Sequence, residues 1–301
     1  MLPPPSIPPP SLTSKAQSGL TGSGKKNPQK EGKRNKTGGK RVKKVGSRRL
    51  QQKINALKWR GRYTMSEFYP VKLKEKTFNL SQTVCGERKG LGTGSTVWEG
   101  GQILLKFIEH LHLTGKQDFR GKTVIDLGSG TGAVGLVAAV LGANVTLTDQ
   151  KQVLHLTRHN VKQTAEQTKD PTIVKRVSVH EYNWGESAVS IGAPFDIVLV
   201  ADCIVPKLYP MTPLVDALLR VSDEKSKIWI CYDHRVNSQL DPRVRFRELC
   251  EEAGFCFRNV PEEQWHPDFI LSDCYIWELR LRGKKRTSNL ADVKSPSGHE
   301  D

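Results

Sequence analysis

From residue 63 onward, hydrophobic and polar positions follow two alternating periods. Short apolar runs of strand length, such as "TVIDL" at 123–127 and "FDIVLVADCI" at 195–204, are separated by longer segments whose apolar residues recur every three or four positions. The segment that starts near Glu99 has the helical period, with its apolar residues on one stripe. Strands that alternate with helices in this way predict a doubly wound α/β fold.

Seven strands with crossover helices are predicted in this region, as a mostly parallel sheet. The last two strands, "FCFRNVP" at 255–261 and "CYIWELRLR" at 274–282, have no helix between them, so we expect the last strand to be antiparallel at one side of the sheet. The alternation in "YPVKLKEKTFNLSQ" at 69–82 predicts a β-hairpin before the first helix.

Composition changes sharply near residue 62 and again near residue 283. Residues 1–62 start with a proline-rich run and hold 17 of the 47 Lys+Arg but only one of the 31 Asp+Glu. Such a segment buries too little apolar surface to offset its ordering entropy. We therefore predict a disordered basic N-terminal tail at 1–62, one folded domain at 63–282 and a polar C-terminal tail at 283–301.

The net charge of +16 resides in the N-terminal tail, and the remainder of the chain is neutral. Basic clusters within residues 15–62 predict contact with nucleic acid or with an acidic protein, or nuclear import, and composition alone leaves these open. We expect no signal peptide, no membrane span and no disulfide framework, and therefore a protein of the cytoplasm, the nucleus or both. We also expect the catalytic domain to be monomeric.

Candidate metal ligands are sparse. His155 and His159 lie four residues apart on a predicted helix, but no glutamate follows the first histidine as in HExxH and no third ligand is evident. Two solvent-facing histidines are the simpler interpretation, and we assign no metal.

The stretch "VIDLGSGTGAVG" at 124–135 is a glycine-rich loop that directly follows a buried strand. In open α/β sheets, ligands bind outside the carboxyl ends of the strands. Gly128 and Gly130 would let the backbone approach a ligand closely, and Gly135 would let the next helix pack against the sheet. The amino end of that helix favours an anionic ligand group.

Two cofactor classes compete for this loop. The GxGxxG spacing also fits a nicotinamide dinucleotide, but Asp126, two residues before the first glycine, would repel a diphosphate. A carboxylate suits the ammonium group of the methionine part of S-adenosylmethionine. Asp149 ends the next strand, where an acid accepts the ribose hydroxyls of either cofactor. Asp126 is therefore the residue that favours S-adenosylmethionine.

Several separated motifs resemble one family. The run "VIDLGSGTGAVGLVAAVLGANVTLTD", together with "VWEGGQILLKFI", "YNWGE", "LVADCI" and "CYDHR", is similar to the seven-strand S-adenosylmethionine-dependent methyltransferases. It most resembles the protein-lysine branch called methyltransferase family sixteen. The resemblance spans about residues 63–282 and implies a Rossmann-like methyltransferase that modifies a lysine of a protein substrate.

The resemblance also implies roles for particular residues. Trp98 would cover the methionine end of the cofactor, Trp184 would border the adenine, and Ala201 would leave room beside the fourth strand. The predicted cofactor-binding set is therefore Trp98, Asp126, Gly128, Ser129, Gly130, Asp149, Trp184 and Ala201.

Asp202, at the end of the fourth strand, is the predicted catalytic residue, because a carboxylate there would orient the incoming ammonium. The chain departs from the family at one position of this motif. The family has Asp-x-x-Tyr, whereas Val205 stands here in place of the tyrosine, and Tyr209 lies four residues further on. The segment 262–269, which contains Trp265, is expected to border the substrate.

Two other functions remain open at this stage. The chain would be a methyltransferase for RNA or a small molecule, or a non-catalytic binding module with the same fold. The basic tail and the absent tyrosine favour the former. The absence of an Asn/Asp-Pro-Pro-aromatic motif after the fourth strand argues against methylation of amino groups on RNA bases. The intact Asp126, Gly128 and Asp149 argue against a non-catalytic binding module.

Overall fold

The computed structural model describes residues 48–205, 208–234 and 241–283, without the side chains of residues 87 and 88. The chain divides into residues 1–44 and 45–301, and every described residue belongs to the second unit. The predicted disorder of residues 1–47 and the predicted polar tail at 284–301 therefore lie outside the described residues.

Nine strands and seven helices are described, in an order that alternates as predicted. The helices are α1 (48–56), α2 (Glu99–Leu113), α3 (Ala133–Val140), α4 (Leu154–Gln167), α5 (Thr172–Arg176), α6 (Met211–Val221) and α7 (Pro242–Glu252). The strands are β1 (Phe68–Lys72), β2 (Thr77–Ser81), β3 (Thr123–Leu127), β4 (Asn144–Asp149), β5 (Val177–Glu181), β6 (Ile197–Ala201), β7 (Lys227–Asp233), β8 (Phe255–Asn259) and β9 (Cys274–Leu281). Within the part of the chain that the structure describes, no helix is long and apolar enough to cross a bilayer.

The predicted sheet is confirmed. Seven strands lie in the order β5-β4-β3-β6-β7-β9-β8, and β1 and β2 form a separate antiparallel hairpin. The five strands from β5 to β7 are parallel, while β9 pairs antiparallel with both β7 and β8. The last strand thus lies between its two neighbours, and β8 forms the edge. The carboxyl ends of β3, β4 and β6 meet at one side of the sheet.

Helices cover both faces of this sheet. One core lies between the sheet and α2, α3, α4 and the hairpin, and a second core lies beneath α6 and α7. Small residues bring α3 close to the sheet, because a Cβ on Gly135 would lie 2.3 Å from Cδ2 of Leu147. The predicted role of Gly135 in close packing is therefore confirmed.

Ordered structure begins earlier than the predicted boundary at residue 62. Helix α1 and the turn after it bury Ala56 and Trp59 against the core. The Trp59 indole donates a hydrogen bond to the carbonyl oxygen of Asp268 at 2.8 Å and stacks on Phe269, with ring centroids 4.9 Å apart. The prediction of a disordered tail is therefore wrong for residues 48–62, because contacts distant in sequence supply the apolar surface that this segment lacks.

Within the segment 262–269, Trp265 differs from its predicted role, and contact of the other residues with a substrate stays a prediction. Trp265 is only 4% exposed, and its indole donates a hydrogen bond to the carbonyl oxygen of Val260 at 3.0 Å. Its side chain belongs to the core beneath the segment. Trp265 is a packing residue, and it presents no free face to a substrate.

Candidate active site

A cavity of about 710 Å³ opens at the carboxyl ends of β3, β4 and β6. Its volume falls in the range of sites that bind drug-sized ligands and cofactors. Six of the predicted site residues line it: Trp98, Gly128, Asp149, Trp184, Ala201 and Asp202. The strand ends and the start of α2 thus bring together residues that are up to 104 positions apart in the chain.

Gly128 forms the floor of the cavity in a conformation that favours glycine. Its φ is +68°, and a Cβ there would lie 2.7 Å from the Cys203 sulfur and 3.4 Å from Cζ2 of Trp184. Because a side chain would collide with the neighbouring strand end, the bare backbone is needed at this point. The glycine therefore keeps room for a ligand between Trp184 and the loop.

Gly130 supports the covering loop, and its predicted contact with a cofactor stays a prediction. A Cβ on Gly130 would lie 2.4 Å from the carbonyl oxygen of Gly94, so the loop that contains Gly94 rests directly on it. Gly130 does not line the cavity. Its backbone N–H donates a hydrogen bond to Asp149, at 2.7 Å, and its small size admits the covering loop.

Asp126 lies beneath the glycine loop and not on the cavity wall. Its side chain is 1% exposed, and Oδ2 accepts a hydrogen bond from the backbone N–H of Gly135 at 2.8 Å, in the first turn of α3. Burial raises the pKa of this carboxyl to about 7, against the opposing effect of the Gly135 hydrogen bond. Direct contact between Asp126 and a cofactor ammonium stays a prediction.

Ser129 is also absent from the cavity wall. Its backbone N–H donates to the carbonyl oxygen of Thr148 at 2.9 Å, which ties the loop to β4. Its hydroxyl is buried and has no hydrogen-bond partner among the described residues. A buried hydroxyl without a partner beside the glycine loop is suited to a ligand that brings a polar group to it.

Asp149 borders the cavity at the end of β4. Its two carboxylate oxygens accept hydrogen bonds from the backbone N–H groups of Gly130 and Gln150, each at 2.7 Å. Burial raises the pKa of Asp149, while these two hydrogen bonds oppose the rise. The side chain is therefore held rigidly where a ribose would meet it.

Asp202 directly follows β6, and its carboxylate contacts the backbone at the start of α2. It adopts φ +56°, and its Oδ2 accepts a hydrogen bond from the Gly101 N–H at 3.2 Å. A Cβ on Gly100 would lie 2.5 Å from Oδ1 of Asp202, so the adjacent glycines admit this carboxylate to the helix terminus. The positive end of the helix dipole stabilises its charge. Asp202 thus presents an oriented carboxylate at the cavity wall.

Three aromatic side chains border the cavity. The Trp98 indole donates to the carbonyl oxygen of Thr93 at 2.8 Å, which fixes the loop that covers the site. Trp184 meets Tyr209 edge to face, with ring centroids 6.1 Å apart. The Tyr209 hydroxyl is hydrogen-bonded to the Thr93 hydroxyl. Tyr209 therefore reaches the cavity from beyond Val205, and it links the covering loop to the segment after β6.

Sequence reasoning missed most of that covering loop. Leu91, Gly92, Thr93 and Gly94 line the cavity, although no role was assigned to them. A signal was present, because "GLGTGS" at 90–95 is a second glycine-rich stretch just before the predicted helix start. Gly94 packs against Gly130 of the first glycine loop, which is a contact that spacing along the chain does not reveal.

Among the described residues, Asp233, Asp273 and Cys274 form a group whose potential ligand atoms lie within 4.8 Å of one another. Arg60 already donates a hydrogen bond to Asp273 at 3.2 Å, and the Cys274 thiol donates one to Asp233 at 3.5 Å. The contacts with Arg60 and the thiol account for this arrangement without an ion.

The cavity and the buried hydroxyl beside it are suited to a nucleoside cofactor. Asp149 is held for a ribose, Gly128 leaves a bare floor beside Trp184, and the Ser129 hydroxyl is left without a partner. Together with the strand order, these features define the Rossmann-like S-adenosylmethionine-dependent methyltransferases.

The chain belongs to the lysine methyltransferase family, whose family model matches residues 78–245. It is 32% identical over 228 residues to protein N-lysine methyltransferase METTL21A of Xenopus tropicalis. The aligned region covers 75% of this chain and 95% of the relative. It is 41% identical over 117 residues to the METTL21A protein of Danio rerio, and this aligned region covers 38% of this chain and 50% of the relative. Cofactor and enzyme class are thus those predicted.

The described fold is similar to solved methyltransferase structures. One is the glycopeptide N-methyltransferase MtfA complexed with (S)-adenosyl-L-methionine, with a TM-score of 0.46 and 14% sequence identity. The similarity covers 59% of this chain and 94% of that chain.

Replacement of Asp149 by Ala is expected to weaken S-adenosylmethionine binding about 100-fold. Two hydrogen bonds from ribose hydroxyls to a charged group, each contributing about 1.5 kcal/mol, would be lost. Isothermal titration calorimetry measures the change. Asp149→Asn, which keeps an acceptor for the Gly130 N–H, should give an intermediate affinity, and equal affinities for all three proteins would refute the role.

Replacement of Tyr209 by Phe is expected to raise the KM for S-adenosylmethionine roughly fivefold, with a smaller change in kcat. The variant loses the hydrogen bond to Thr93, and a net loss of about 1 kcal/mol corresponds to that factor. Thr93→Val removes the same bond from the other side. A double-mutant cycle should therefore show no further loss in the combined variant, whereas additive losses would mean that the two hydroxyls act separately.

Proposed function

We propose that this protein transfers a methyl group from S-adenosylmethionine to a lysine side chain of a protein substrate. The observation that carries the proposal is the position of Asp202, which lies on the wall of the same cavity as Asp149 and has its carboxylate oriented by the amino end of α2. One carboxylate thus borders the cavity at the end of β4 and another at the end of β6. Membership of the lysine methyltransferase family supports a lysine as that acceptor.

The cofactor would be held by Asp149, Gly128, Trp98, Trp184 and Ala201. When bound, S-adenosylmethionine supplies an electrophilic methyl group, so the protein contributes mainly alignment and the exclusion of water. The loop at 91–94 and the aromatic side chains cover the site for this purpose.

Asp202 would accept a hydrogen bond from the lysine ammonium and hold its nitrogen at the cavity wall. Desolvation there would lower the pKa of the lysine, against the opposing effect of the Asp202 carboxylate, and the ammonium would release its proton to water before the neutral amine attacks the methyl group. After transfer, the product again carries a positive charge, and the Asp202 carboxylate stabilises it. Burial raises the pKa of the thiol of Cys203, the next residue, well above the usual value, so this thiol stays protonated.

The partner of residues 15–62 is part of the same proposal. Leu50, Ile54 and Leu57 are 61%, 44% and 82% exposed, so α1 and the turn after it present an apolar stripe beside the basic residues of the segment. An apolar stripe has no counterpart on a phosphate backbone, whereas an acidic protein surface can supply both apolar contacts and charge. We therefore favour an acidic protein as the partner over a nucleic acid.

Incubation with methyl-labelled S-adenosylmethionine and cell extract, with and without RNase, tests both parts. We expect labelled protein bands whose intensity RNase does not change, and no label in those bands with the Asp202→Asn enzyme. Label confined to RNA would overturn the proposal of a protein acceptor. A protein band that weakens after RNase treatment would show recruitment through RNA and overturn the choice of partner.

A further inference from the structure

A second cleft lies at the opposite end of the sheet from the active site. It has a volume of about 230 Å³ and sits where β6 and β7 begin, lined mainly by Gln117, Lys122, Asp196, Lys225, Lys227 and Arg280. The five-residue strand β6 runs from this cleft to the catalytic cavity, a distance of about 13 Å. The two sites share no lining residue.

Four cations and a single carboxylate line this cleft. The carboxylate, Asp196, is already engaged, because Oδ2 accepts hydrogen bonds from the backbone N–H and the hydroxyl of Thr123, and Oδ1 lies 3.6 Å from Lys122 Nζ. Arg280 pairs with Glu278 at 3.2 Å. Positive charge in the cleft therefore exceeds the negative charge that its own acid provides.

Lys225 and Lys227 carry that excess. Neither has a carboxylate within ion-pair distance among the described residues. Lys227 Nζ donates to the side-chain oxygen of Gln117 and lies 5.2 Å from the ring centroid of Trp229. Burial lowers the pKa of Lys227, and the positive charge of Arg280 lowers it further, while the negative charge of Glu278 opposes the decrease. The half-buried ammonium is thus held among other cations, an arrangement that a bound anion would stabilise.

We propose that this cleft is a binding site for a phosphate group. A carboxylate would bring one negative charge, whereas a phosphate ester brings about 1.5 to 2 and offers several acceptor oxygens to lysine and arginine donors. The folded part of the chain is neutral outside its basic N-terminal segment, so the excess of charge is local to the cleft. Because the site lies apart from the catalytic cavity, phosphate and S-adenosylmethionine should bind without competition.

Titration of the full-length protein with pyrophosphate, followed by nuclear magnetic resonance of the tryptophan indoles, tests this site. The Trp229 indole donates to Glu278 at 3.3 Å and lies beside Lys227, so its signal reports on the cleft and not on the basic tail. The signal is assigned by comparison with Trp229→Phe. At about 0.15 M salt, screening limits weak attraction to exposed charges.

We expect a saturable shift of the Trp229 signal, with an affinity that falls at least about tenfold in Lys225→Gln/Lys227→Gln. Lys162→Gln, on the exposed side of α4, should bind as the wild type does. A second titration with a short phosphoserine peptide distinguishes the source, since tighter binding than pyrophosphate would indicate a protein-borne phosphate.

An unmoved Trp229 signal in the wild type would overturn the proposal, as would undiminished affinity in the double variant or an equal loss in Lys162→Gln. Circular dichroism of each variant shows whether it is folded. The experiment involves no methyl transfer, so its outcome is independent of the proposed enzymatic function.

Discussion

Replacement of Asp202 by Asn is expected to lower kcat for protein methylation about 1000-fold, with S-adenosylmethionine affinity unchanged. The substitution removes the charge that orients the acceptor ammonium and stabilises the positive charge of the product. Loss of one such electrostatic interaction lowers kcat about 10²- to 10³-fold in enzymes. Asparagine has the same shape, tolerates the φ of +56° and still offers an oxygen to the Gly101 N–H.

Single-turnover methylation with labelled cofactor measures this loss, and calorimetry measures the affinity of the same preparation for the cofactor. Asp118→Asn, at an exposed position in the turn before β3, is the matched control and should retain full activity. Loss of cofactor binding in Asp202→Asn would mean that Asp202 is only a structural support of the cavity. Unchanged turnover would remove it from the mechanism.

Replacement of Asp126 by Asn is expected to remove the contribution of this one carboxyl to the loss of stability between about pH 4 and pH 7. Burial raises the Asp126 pKa from 3.8 to about 7, so the folded protein binds a proton that the unfolded chain has released. The associated stability is fully present below pH 4 and is lost as the pH rises to about 7. At about 1.4 kcal/mol for each unit of pKa difference, the loss amounts to about 4 kcal/mol.

Urea denaturation at a series of pH values measures this difference between wild type and variant. Asp118→Asn is the control, since hydrogen bonds with Arg120 lower the pKa of Asp118 to about 2. That group contributes stability above pH 4 which is lost only as the pH falls towards 2, so its removal leaves the slope between pH 4 and 7 unchanged. Parallel pH profiles for wild type and Asp126→Asn would show that the buried carboxyl is not protonated near neutrality.

The sheet could be predicted from sequence because most of its seven strands are short apolar runs between turns or helices. Helix α1 could not, since the helically spaced Leu50, Ile54 and Leu57 stay exposed and only Ala56 and Trp59 reach the core. Their burial depends on Phe269 and on the carbonyl of Asp268, more than 200 residues away. The boundary predicted from composition was therefore about 15 residues too late.

Residue types predicted the site residues near strand ends well and those in the loops poorly. Asp149, Trp184 and Asp202 lie on the cavity wall because they directly follow or end strands whose direction the pattern determines. The inward orientation of Asp126 depends on the Gly135 N–H. The approach of Gly94 to Gly130 depends on the fold of the whole covering loop, which local periodicity does not encode.

The nature of the methylated residue tests the central claim most directly. Protein labelled by the wild-type enzyme and methyl-labelled S-adenosylmethionine in cell extract is hydrolysed to amino acids, and the label is separated by chromatography. We expect the label to elute as methylated lysine and to be absent with Asp202→Asn. Label in any other amino acid, with none in methylated lysine, would contradict it.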